Sequence, residues 1–364
     1  MKKLHIFNPE HDIALASNLA NFTAPHAGRQ LRADLGFLPV LWANEGDVVL
    51  VDNVEYAEKE WRNVQRRISR SLGPGHCNSN FVRFGTYTNA PREVLSSIPQ
   101  EEVGISVWGW DKALKAQLKR RGVTDSLLPT DAQLENIRQL SHRRTAAWLL
   151  PQLQSSYTVG EAFECREASE VESLLAKYGQ VVMKAPWSSS GRGLRFLSVE
   201  QTPFSMQAGW FNNVIARQGS VMVEPLYHKV KDFGMEFHAD SMGQIRFEGL
   251  SLFHTVNGAY VGNILATESA KRNLISRYIP VEWVDDVQQE ICRVLNLKGY
   301  EGPFGIDMMI VASNDGCLLH PCIEINLRRT MGHVALSLMP DDDELVRVMR
   351  IELNDHYKLK INKL

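Results

Sequence analysis

The sequence lacks the features that mark secreted, membrane-spanning and nucleic-acid-binding proteins. Its five cysteines are scattered and include no C-x-x-C pair, so we expect reduced cysteines in a cytoplasmic protein rather than a disulfide framework. No uninterrupted apolar run is long enough to cross a bilayer, and the first residues lack the apolar core of a signal peptide. A formal net charge of −2 gives no reason to expect nucleic acid or an anionic membrane as a partner.

The overall amino-acid composition is typical of a soluble protein with several packed lobes. Its 364 residues, 44% of them hydrophobic and 23% charged, suffice for two or three lobes with cores of their own. Strands and helices alternate up to about residue 130, which predicts a parallel sheet with crossover helices. The predicted strands of this part are 4–8, 48–51 and 103–108, and its helices are 27–35, 55–71 and 111–121. Beyond a helical segment at 131–153, we expect strands at 221–226, 233–239, 244–255 and 259–265, and helices at 284–295 and 343–353.

Acidic and amide side chains interrupt two apolar runs in the last quarter of the chain, 305–312 and 317–327. The Asp-Gly pair at 315–316 lies between them and predicts a two-residue hairpin loop. Such a loop places Asp307 opposite Glu324, and Asn326 shares their face because alternate residues of a strand point the same way. These hard oxygen ligands suit Mg²⁺ (or Mn²⁺) with substrate phosphates completing its shell. The alternative is the solvated face of an amphipathic hairpin.

A serine- and glycine-rich loop follows a predicted buried strand, 180–185. Backbone N–H groups and hydroxyls in such a loop can close on a polyphosphate, with Lys184 and Arg192 as countercharges. The loop is neither a Walker A motif nor a G-x-G-x-x-G turn, and by itself an ordinary flexible hairpin explains it better. Its candidate phosphate-binding residues are Ser188, Ser189, Ser190, Gly191 and Gly193.

The order and spacing of the loop and the acidic hairpin resemble those of the ATP-grasp superfamily, which includes D-alanine–D-alanine ligase, biotin carboxylase and glutathione synthetase. The resemblance covers roughly residues 134–353. It implies that Lys184 contacts the α-phosphate and adenine, and that an arginine, Arg143 or Arg144, replaces a lysine of the family ahead of the loop. It further implies adenine contacts from Glu224 and Leu226, a ribose contact from Glu236 or Asp232, and the metal ligands Asp307, Glu324 and Asn326.

The resemblance also implies the fold class and the domain organisation. We expect an α/β protein that becomes α+β towards its C-terminal lobes. An N-terminal parallel-sheet domain (1–130) would precede two ATP-grasp subdomains (131–219 and 220–364), with the nucleotide between these subdomains.

The function that the resemblance implies is an ATP-dependent ligase for a carboxylate and an amine or thiol. It would work through an acylphosphate and yield ADP and phosphate, with Arg328, Arg192 and Lys184 stabilising the transferred phosphoryl group. Its partners would be ATP, a small-molecule or peptide carboxylate, and the amine or thiol; a homodimer is left open. The alternatives are an ATP-grasp-type small-molecule kinase and a nucleotide-binding protein without turnover.

A polar cluster follows the first predicted strand, where open α/β sheets bind ligands. Its residues Glu10, His11 and Asp12 are candidates for an acceptor-substrate pocket, and Arg329 could hold a substrate carboxylate if its strand ends before it. The alternatives for the cluster are a polar turn in which Asn8 or Asp12 caps a helix and a zinc site. The aromatic segment at 108–111 could line the same pocket or pack in the core, with its aspartate capping a helix.

Overall fold

The computed structural model describes residues 2–73, 82–87, 103–188, 193–256 and 259–363. The chain forms two compact units, each built from separate stretches of sequence. Unit 1 comprises Met1–Arg138, Val261–Ala270 and Arg328–Leu364, and unit 2 comprises Gln139–Tyr260 and Lys271–Leu327. The division into domains at residues 130 and 219 stays a prediction.

Unit 1 contains the predicted parallel sheet. Strands β1 (Lys2–Ile6), β2 (Val48–Val51), β3 (Arg83–Thr86) and β4 (Val103–Val107) lie in the order β3-β2-β1-β4, and all their pairings are parallel. The helices of this part are α1 (His11–Ser17), α2 (His26–Leu35), α3 (Val54–Leu72), α4 (Lys112–Arg120) and α5 (Asp131–Leu140). From β1 the chain builds outwards to β2 and β3, and it then returns to place β4 on the other side of β1. The strand order therefore reverses at β1.

Two apolar clusters form the core of unit 1. One contains Leu4, Leu50, Leu114 and Leu118, so α4 packs with alternate residues of the sheet. The other joins α3 and residues before β2 to side chains from the C-terminal part of the unit, among them Phe37, Trp61, Ile68, Met349 and Leu359. Side chains that are distant in sequence therefore complete this core.

Unit 2 contains two antiparallel arrangements of strands. In the first, β5 (Phe163–Cys165), β6 (Gln180–Lys184), β7 (Leu194–Ser198) and β8 (Val221–Pro225) lie in the order β5-β8-β6-β7. Its helices are α6 (Arg144–Leu149), α7 (Ala168–Tyr178) and α8 (Ala208–Gln218). Buried side chains such as Val171 and Phe211 pack the last two helices against Val181 and Val223 of the sheet. The predicted helical segment 131–153 thus forms two α-helices, α5 and α6, followed by a 3₁₀ turn at Leu150–Leu153.

In the second arrangement, β9 (Lys229–Ala239) pairs with β10 (Ile245–Val256) on one side and β12 (Gly302–Ser313) on the other. Strand β13 (Gly316–Asn326) then pairs with β12. The helices α9 (Glu268–Ile275) and α10 (Val281–Val294) precede β12.

The hairpin of β12 and β13 has the predicted pairing of Asp307 with Glu324 but not the predicted loop. Ser313 pairs with Gly316, so the two-residue loop is 314–315 and not 315–316. An irregularity beside Asp307 compensates for the shifted loop, because a step of two positions along β12 (307 to 309) corresponds to a step of four positions along β13 (320 to 324). Pro321 lies in this irregular stretch and has no backbone N–H to donate to a regular ladder.

The predicted helix at 343–353 is wrong, because this segment contains strand β14 (Arg347–Leu353). Strand β14 pairs with β11 (Ala259–Leu265) on one side and β15 (Tyr357–Lys363) on the other, after a short helix α11 (Met331–Leu336). Its apolar residues fit a helical period and a strand period about equally well in sequence. Pairing on both sides, together with the burial of Val348 and Met349, favours the strand.

Cys165, Cys292, Cys317 and Cys322 are all free thiols, two of them buried and two half-buried; Cys77 lies outside the described residues. In the described parts of the chain, no helix has both the length and the apolar character needed to cross a membrane.

Candidate functional site

The acidic hairpin of unit 2 brings its three predicted metal ligands together. Asp307 faces Glu324 across the β12–β13 ladder, and the Nδ2 atom of Asn326 donates a hydrogen bond to Oδ2 of Asp307 at 3.2 Å. The donors are thus two carboxylates and one amide, and within the described ranges no three His, Cys, Asp or Glu side chains converge as a metal cluster. This set of hard oxygens fits a cation that takes few protein ligands.

Arg143 connects this hairpin to the chain that follows β6. Its Nη1 atom lies 2.8 Å from Oε2 of Glu324, while Nε donates to the Ala185 carbonyl at 3.0 Å and Nη2 donates to Oγ of Ser188 at 3.2 Å. The Arg143 side chain is only 8% exposed. Arg144 instead lies 3.5 Å from Glu164 and is 42% exposed. Of the two candidate arginines, the structure therefore places Arg143 beside the predicted metal ligands.

Lys184 and Glu224 form a buried ion pair on neighbouring strands. The Nζ atom of Lys184 donates to Oε2 of Glu224 at 2.6 Å, and both side chains are less than a tenth exposed. They come from β6 and β8, which pair directly. Burying an ion pair costs so much desolvation that it is seldom a source of stability. The pair by itself is therefore weak evidence for a contribution to stability.

The other predicted nucleotide contacts lie on β9 and in the segment before it. Glu236 is buried on β9 and pairs across the ladder with Gly305, two residues before Asp307. Asp232 accepts hydrogen bonds from Lys229, at 2.7 Å, and from Thr255. Leu226 is partly exposed, and its backbone N–H donates to Gln180 at 3.1 Å.

The predicted phosphate loop is described only at its two ends. Ser189, Ser190, Gly191 and Arg192 lie outside the described residues. Ser188 accepts the hydrogen bond from Arg143, and the carbonyl of Gly193 accepts one from the Ala185 N–H at 2.8 Å. A Cβ atom at Gly193 would lie 2.4 Å from Cβ of Ser188. Only glycine therefore allows the two ends to approach this closely.

His320 is a residue of this region that the sequence did not single out. It lies on β13 four residues before Glu324, is fully buried, and packs edge-on against Tyr227 with ring centroids 5.3 Å apart. Neither ring nitrogen has a hydrogen-bond partner among the described residues. Burial, followed by the positive charge of Lys184, lowers the pKa of His320 to about 3. A lone histidine in an apolar strand carries no sequence signal that would distinguish it from a core residue.

In unit 1, the residues Glu10, His11 and Asp12 each contact a different partner. Glu10 accepts a hydrogen bond from Arg32 at 2.8 Å, and burial raises the pKa of its carboxyl despite that positive charge. The Nδ1 atom of His11 lies 3.2 Å from Oδ2 of Asp111. Helix α1 begins after Glu10, whose side chain makes no capping hydrogen bond.

Asp12 holds Arg328 through two hydrogen bonds. Nε and Nη2 of Arg328 donate to the two carboxylate oxygens at 2.8 and 2.7 Å. The sequence predicts that Arg328 binds a phosphate anion, whereas in this structure its guanidinium group binds a carboxylate of the chain itself. Strand β13 ends at Asn326, and Arg329 donates its N–H to the Trp108 carbonyl at 2.8 Å. Its guanidinium lies over the ring of Trp42, 4.6 Å from the centroid.

Comparison with solved structures finds chains of similar fold at low sequence identity. The biotin carboxylase–β-γ-ATP complex from Campylobacter jejuni matches with a TM-score of 0.50 and 13% identity over 96% of this chain and 75% of that chain. N5-carboxyaminoimidazole synthetase from Staphylococcus aureus complexed with ADP matches with a TM-score of 0.48 and 15% identity over 97% and 82%. A putative ATP-grasp superfamily protein from Archaeoglobus fulgidus matches with a TM-score of 0.45 and 13% identity over 100% of both chains. No family model and no curated protein matches the sequence.

Proposed function

Starting from the ATP-grasp fold that this chain has, we propose that it is an ATP-dependent ligase. It would join a carboxylate to an amine, or to a thiol, through an acylphosphate and release ADP and phosphate. The observation that carries the proposal is the convergence of Asp307, Glu324 and Asn326 with the buried guanidinium of Arg143. The fold is compatible with several chemistries, so the proposal rests on this site.

The chemistry of carboxylate activation explains why such a site is useful. A carboxylate is a poor electrophile because its anionic oxygen is a poor leaving group. Transfer of the γ-phosphoryl group of ATP to that oxygen gives an acylphosphate, from which phosphate departs once an amine or thiol adds. Phosphoryl transfer itself needs alignment and charge neutralisation more than covalent help from the protein.

The donor set of the hairpin supports Mg²⁺ (or Mn²⁺) binding. Asp307, Glu324 and Asn326 would hold the ion, which when bound supplies positive charge to the terminal phosphates. Arg143 would hold Glu324 in place and add a fixed positive charge beside it. Arg192, outside the described residues, would supply a further positive charge to the phosphates.

The nucleotide contacts would come from other residues of unit 2. Lys184 would exchange part of its contact with Glu224 for a phosphate oxygen, since an ammonium group has three donors. Glu224 and the backbone at Leu226 would contact adenine, and Glu236 or Asp232 would contact ribose. Ser188, Gly193 and the intervening loop would cover the phosphates.

Unit 1 would provide contacts to the substrates that are joined. The guanidinium group of Arg328 binds the Asp12 carboxylate in this structure through two parallel hydrogen bonds. The same pair of donors is suited to a phosphate or carboxylate of a substrate. Glu10, His11, Asp12 and Arg329 are the proposed acceptor-side residues.

An ADP-release assay over pooled carboxylic acids, with Mg²⁺ and hydroxylamine present, tests the proposed function. Hydroxylamine traps an acylphosphate as a stable hydroxamate, so hydroxamate formation together with ADP is the expected result. A phosphorylated alcohol without hydroxamate would instead indicate a small-molecule kinase. ATP binding without ADP release for any substrate would indicate a nucleotide-binding protein without turnover.

A further inference from the structure

A histidine–carboxylate pair lies where the strand order of the parallel sheet reverses. In the order β3-β2-β1-β4, the chain leaves β1 on one side and returns on the other. Open parallel sheets bind ligands outside the carboxyl ends of the strands at such a reversal. Residues 8–12 begin two positions after the end of β1, and residues 108–111 directly follow β4. His11 and Asp111 belong to these two segments.

Hydrogen bonds hold Asp111 in one orientation. Its Oδ1 atom accepts from the backbone N–H of Leu114 at 2.8 Å and so caps helix α4, as the sequence indicated. Its Oδ2 atom faces Nδ1 of His11 at 3.2 Å and accepts from Nδ2 of Asn8 at 3.3 Å. Asn8 also donates to the carbonyl of Gly109 at 2.8 Å and accepts from the Gly109 N–H at 3.3 Å. The two segments are thereby fixed to each other.

This arrangement determines the tautomer of His11. An ionised carboxylate can only accept hydrogen bonds, so Nδ1 of the ring must carry the proton that Oδ2 of Asp111 accepts. The lone pair of a neutral ring then lies on Nε2. Nε2 is buried and has no hydrogen-bond partner in the described part of the chain. Leaving a buried polar atom unpaired costs about 1–3 kcal/mol, and such atoms call for a functional explanation.

Gly109 allows the ring to occupy this position. A Cβ atom there would lie 2.6 Å from carbon atoms of the His11 ring, which is closer than any side chain can approach. The neighbouring Asp12 meanwhile holds the guanidinium of Arg328, an anion-binding group. A base with an available lone pair thus lies one residue from a group suited to a phosphate or carboxylate.

Resting on the ligase function proposed above, we infer that His11 is the general base of the second half-reaction and that Asp111 is its positioning residue. An amine that arrives as its ammonium ion would first give one proton to Nε2, and the lone pair so freed would form the C–N bond to the acyl carbon. The C–O bond to phosphate then breaks, and phosphate leaves with the electron pair and takes up the second proton from the nitrogen. Asp111 would stabilise the imidazolium formed. The acceptor is therefore an amine that is protonated at neutral pH.

Two nucleophiles of different basicity test this inference once a carboxylate that yields hydroxamate is known. Hydroxylamine is largely unprotonated at neutral pH and needs no base, whereas ammonium and the amino groups of the twenty common amino acids do. His11→Gln should lower amide formation from the amines by about 10²–10⁴-fold and leave hydroxamate formation within about twofold. Asp111→Asn, which keeps the helix cap, should likewise lower amide formation relative to hydroxamate formation. The exposed His26→Gln serves as control.

Each outcome of this experiment decides a different point. Absence of hydroxamate with the wild-type protein for every carboxylate in the preceding ADP-release assay would contradict the ligase function itself. Hydroxamate without amide from any of these amines would overturn the inference, as would equal loss of both products in a His11→Gln protein of normal melting temperature. Ring ¹⁵N–¹H correlation spectra should show His11 protonated at Nδ1 in the wild type. A proton on Nε2 instead would overturn the assignment even where the variants fail to fold.

Discussion

Glu324 connects the negative and positive groups of the candidate site, because it is one of the three predicted metal ligands and also contacts Arg143. We therefore expect a substitution at this position to change turnover more than folding. Its side chain is 24% exposed, so it does not support the core.

We predict that Glu324→Gln lowers Mg²⁺-dependent ADP formation by at least about 10²-fold, since the change removes a charged ligand. The amide oxygen of glutamine can still accept from Arg143, so the melting temperature should change little. Steady-state kinetics on the identified substrate provide the measurement, with the exposed Glu301→Gln as control. Near wild-type turnover in Glu324→Gln would show that the metal assignment is wrong.

Lys184 calls for a paired substitution, because its removal leaves the buried Glu224 without a partner. We predict that Lys184→Ala weakens binding of a non-hydrolysable ATP analogue by about 1.5–3 kcal/mol, the value of one charge-assisted bond. The same change should lower the free energy of unfolding by about 3–5 kcal/mol.

The double variant Lys184→Met, Glu224→Gln separates these two effects. It leaves no unpaired buried charge, so stability should recover while binding stays weak. Calorimetry and urea unfolding on the same proteins measure both quantities. An unchanged dissociation constant in the double variant would mean that Lys184 does not contact the nucleotide.

His320 should make stability depend on pH in a known direction. Its folded-state pKa of about 3 lies below the ordinary value of 6.5, so the unfolded chain binds more protons between these values. Stability from this group is therefore complete above pH 6.5 and is lost as the pH falls towards 3, by up to about 1.4 kcal/mol per pH unit. The difference between His320→Phe and the wild type in urea unfolding should grow below pH 6.5. A difference that stays constant down to pH 5 would contradict this.

At the scale of elements, the β12–β13 hairpin shows what a sequence pattern can and cannot specify. The apolar runs and the polar face predicted both strands and the pairing of Asp307 with Glu324. The loop was misplaced by one residue because Gly316 was expected within the turn, whereas it begins β13 with φ +134°. The irregularity at Pro321 then restored the predicted pairing. Such irregularities have no signal in the hydrophobic pattern, so agreement at the site depended on two deviations that cancel.

We predict that Gly316→Ala lowers the free energy of unfolding by about 1–3 kcal/mol, since a φ of +134° strongly disfavours any residue but glycine. Space is not the cause, because a Cβ atom there would meet nothing within 4 Å. Gly209→Ala in helix α8 is the matched control: it is equally open and should be neutral or stabilising. Urea unfolding measures both variants, and equal effects would argue against backbone strain at Gly316.

Contacts between distant segments explain most of what the sequence could not predict. Strands β1 and β2 and helix α3 have periodic apolar patterns that predict them locally. The segment 343–353 is ambiguous by itself, and it becomes a strand because β11 and β15 pair with it. The partner of Arg328 is 316 residues away in sequence, so no local rule could identify Asp12. The choice between Arg143 and Arg144 likewise required the position of Glu324.

At the scale of the whole molecule, the candidate residues divide between the two units. The predicted nucleotide and metal contacts belong to unit 2, whereas Glu10, Asp12 and Arg328 belong to unit 1. Substitutions in the two units should therefore affect different kinetic constants.

We predict that Glu10→Gln and Asp12→Asn lower turnover while leaving the dissociation constant for ATP within about twofold. Both amides preserve the shape of the side chain but remove the charge opposite Arg32 or Arg328. A merely structural role predicts instead a stability loss of about 1 kcal/mol from the weakened hydrogen bonds, with normal activity. Melting temperature, steady-state kinetics and calorimetry on the same proteins distinguish these cases. Normal kinetics in both variants would exclude the pair from the acceptor site.

The discontinuous composition of unit 1 has a consequence for its synthesis on the ribosome. Phe37, Trp61 and Ile68 emerge early, but the same core includes Met349 and Leu359, which are translated only after the whole of unit 2. The apolar surface of the nascent N-terminal segment therefore stays uncovered until the C-terminal residues of unit 1 have been translated. Chaperones that shield nascent chains, and the speed of elongation through residues 139–327, should influence the yield of native protein more than they would for a chain whose units follow one another in sequence.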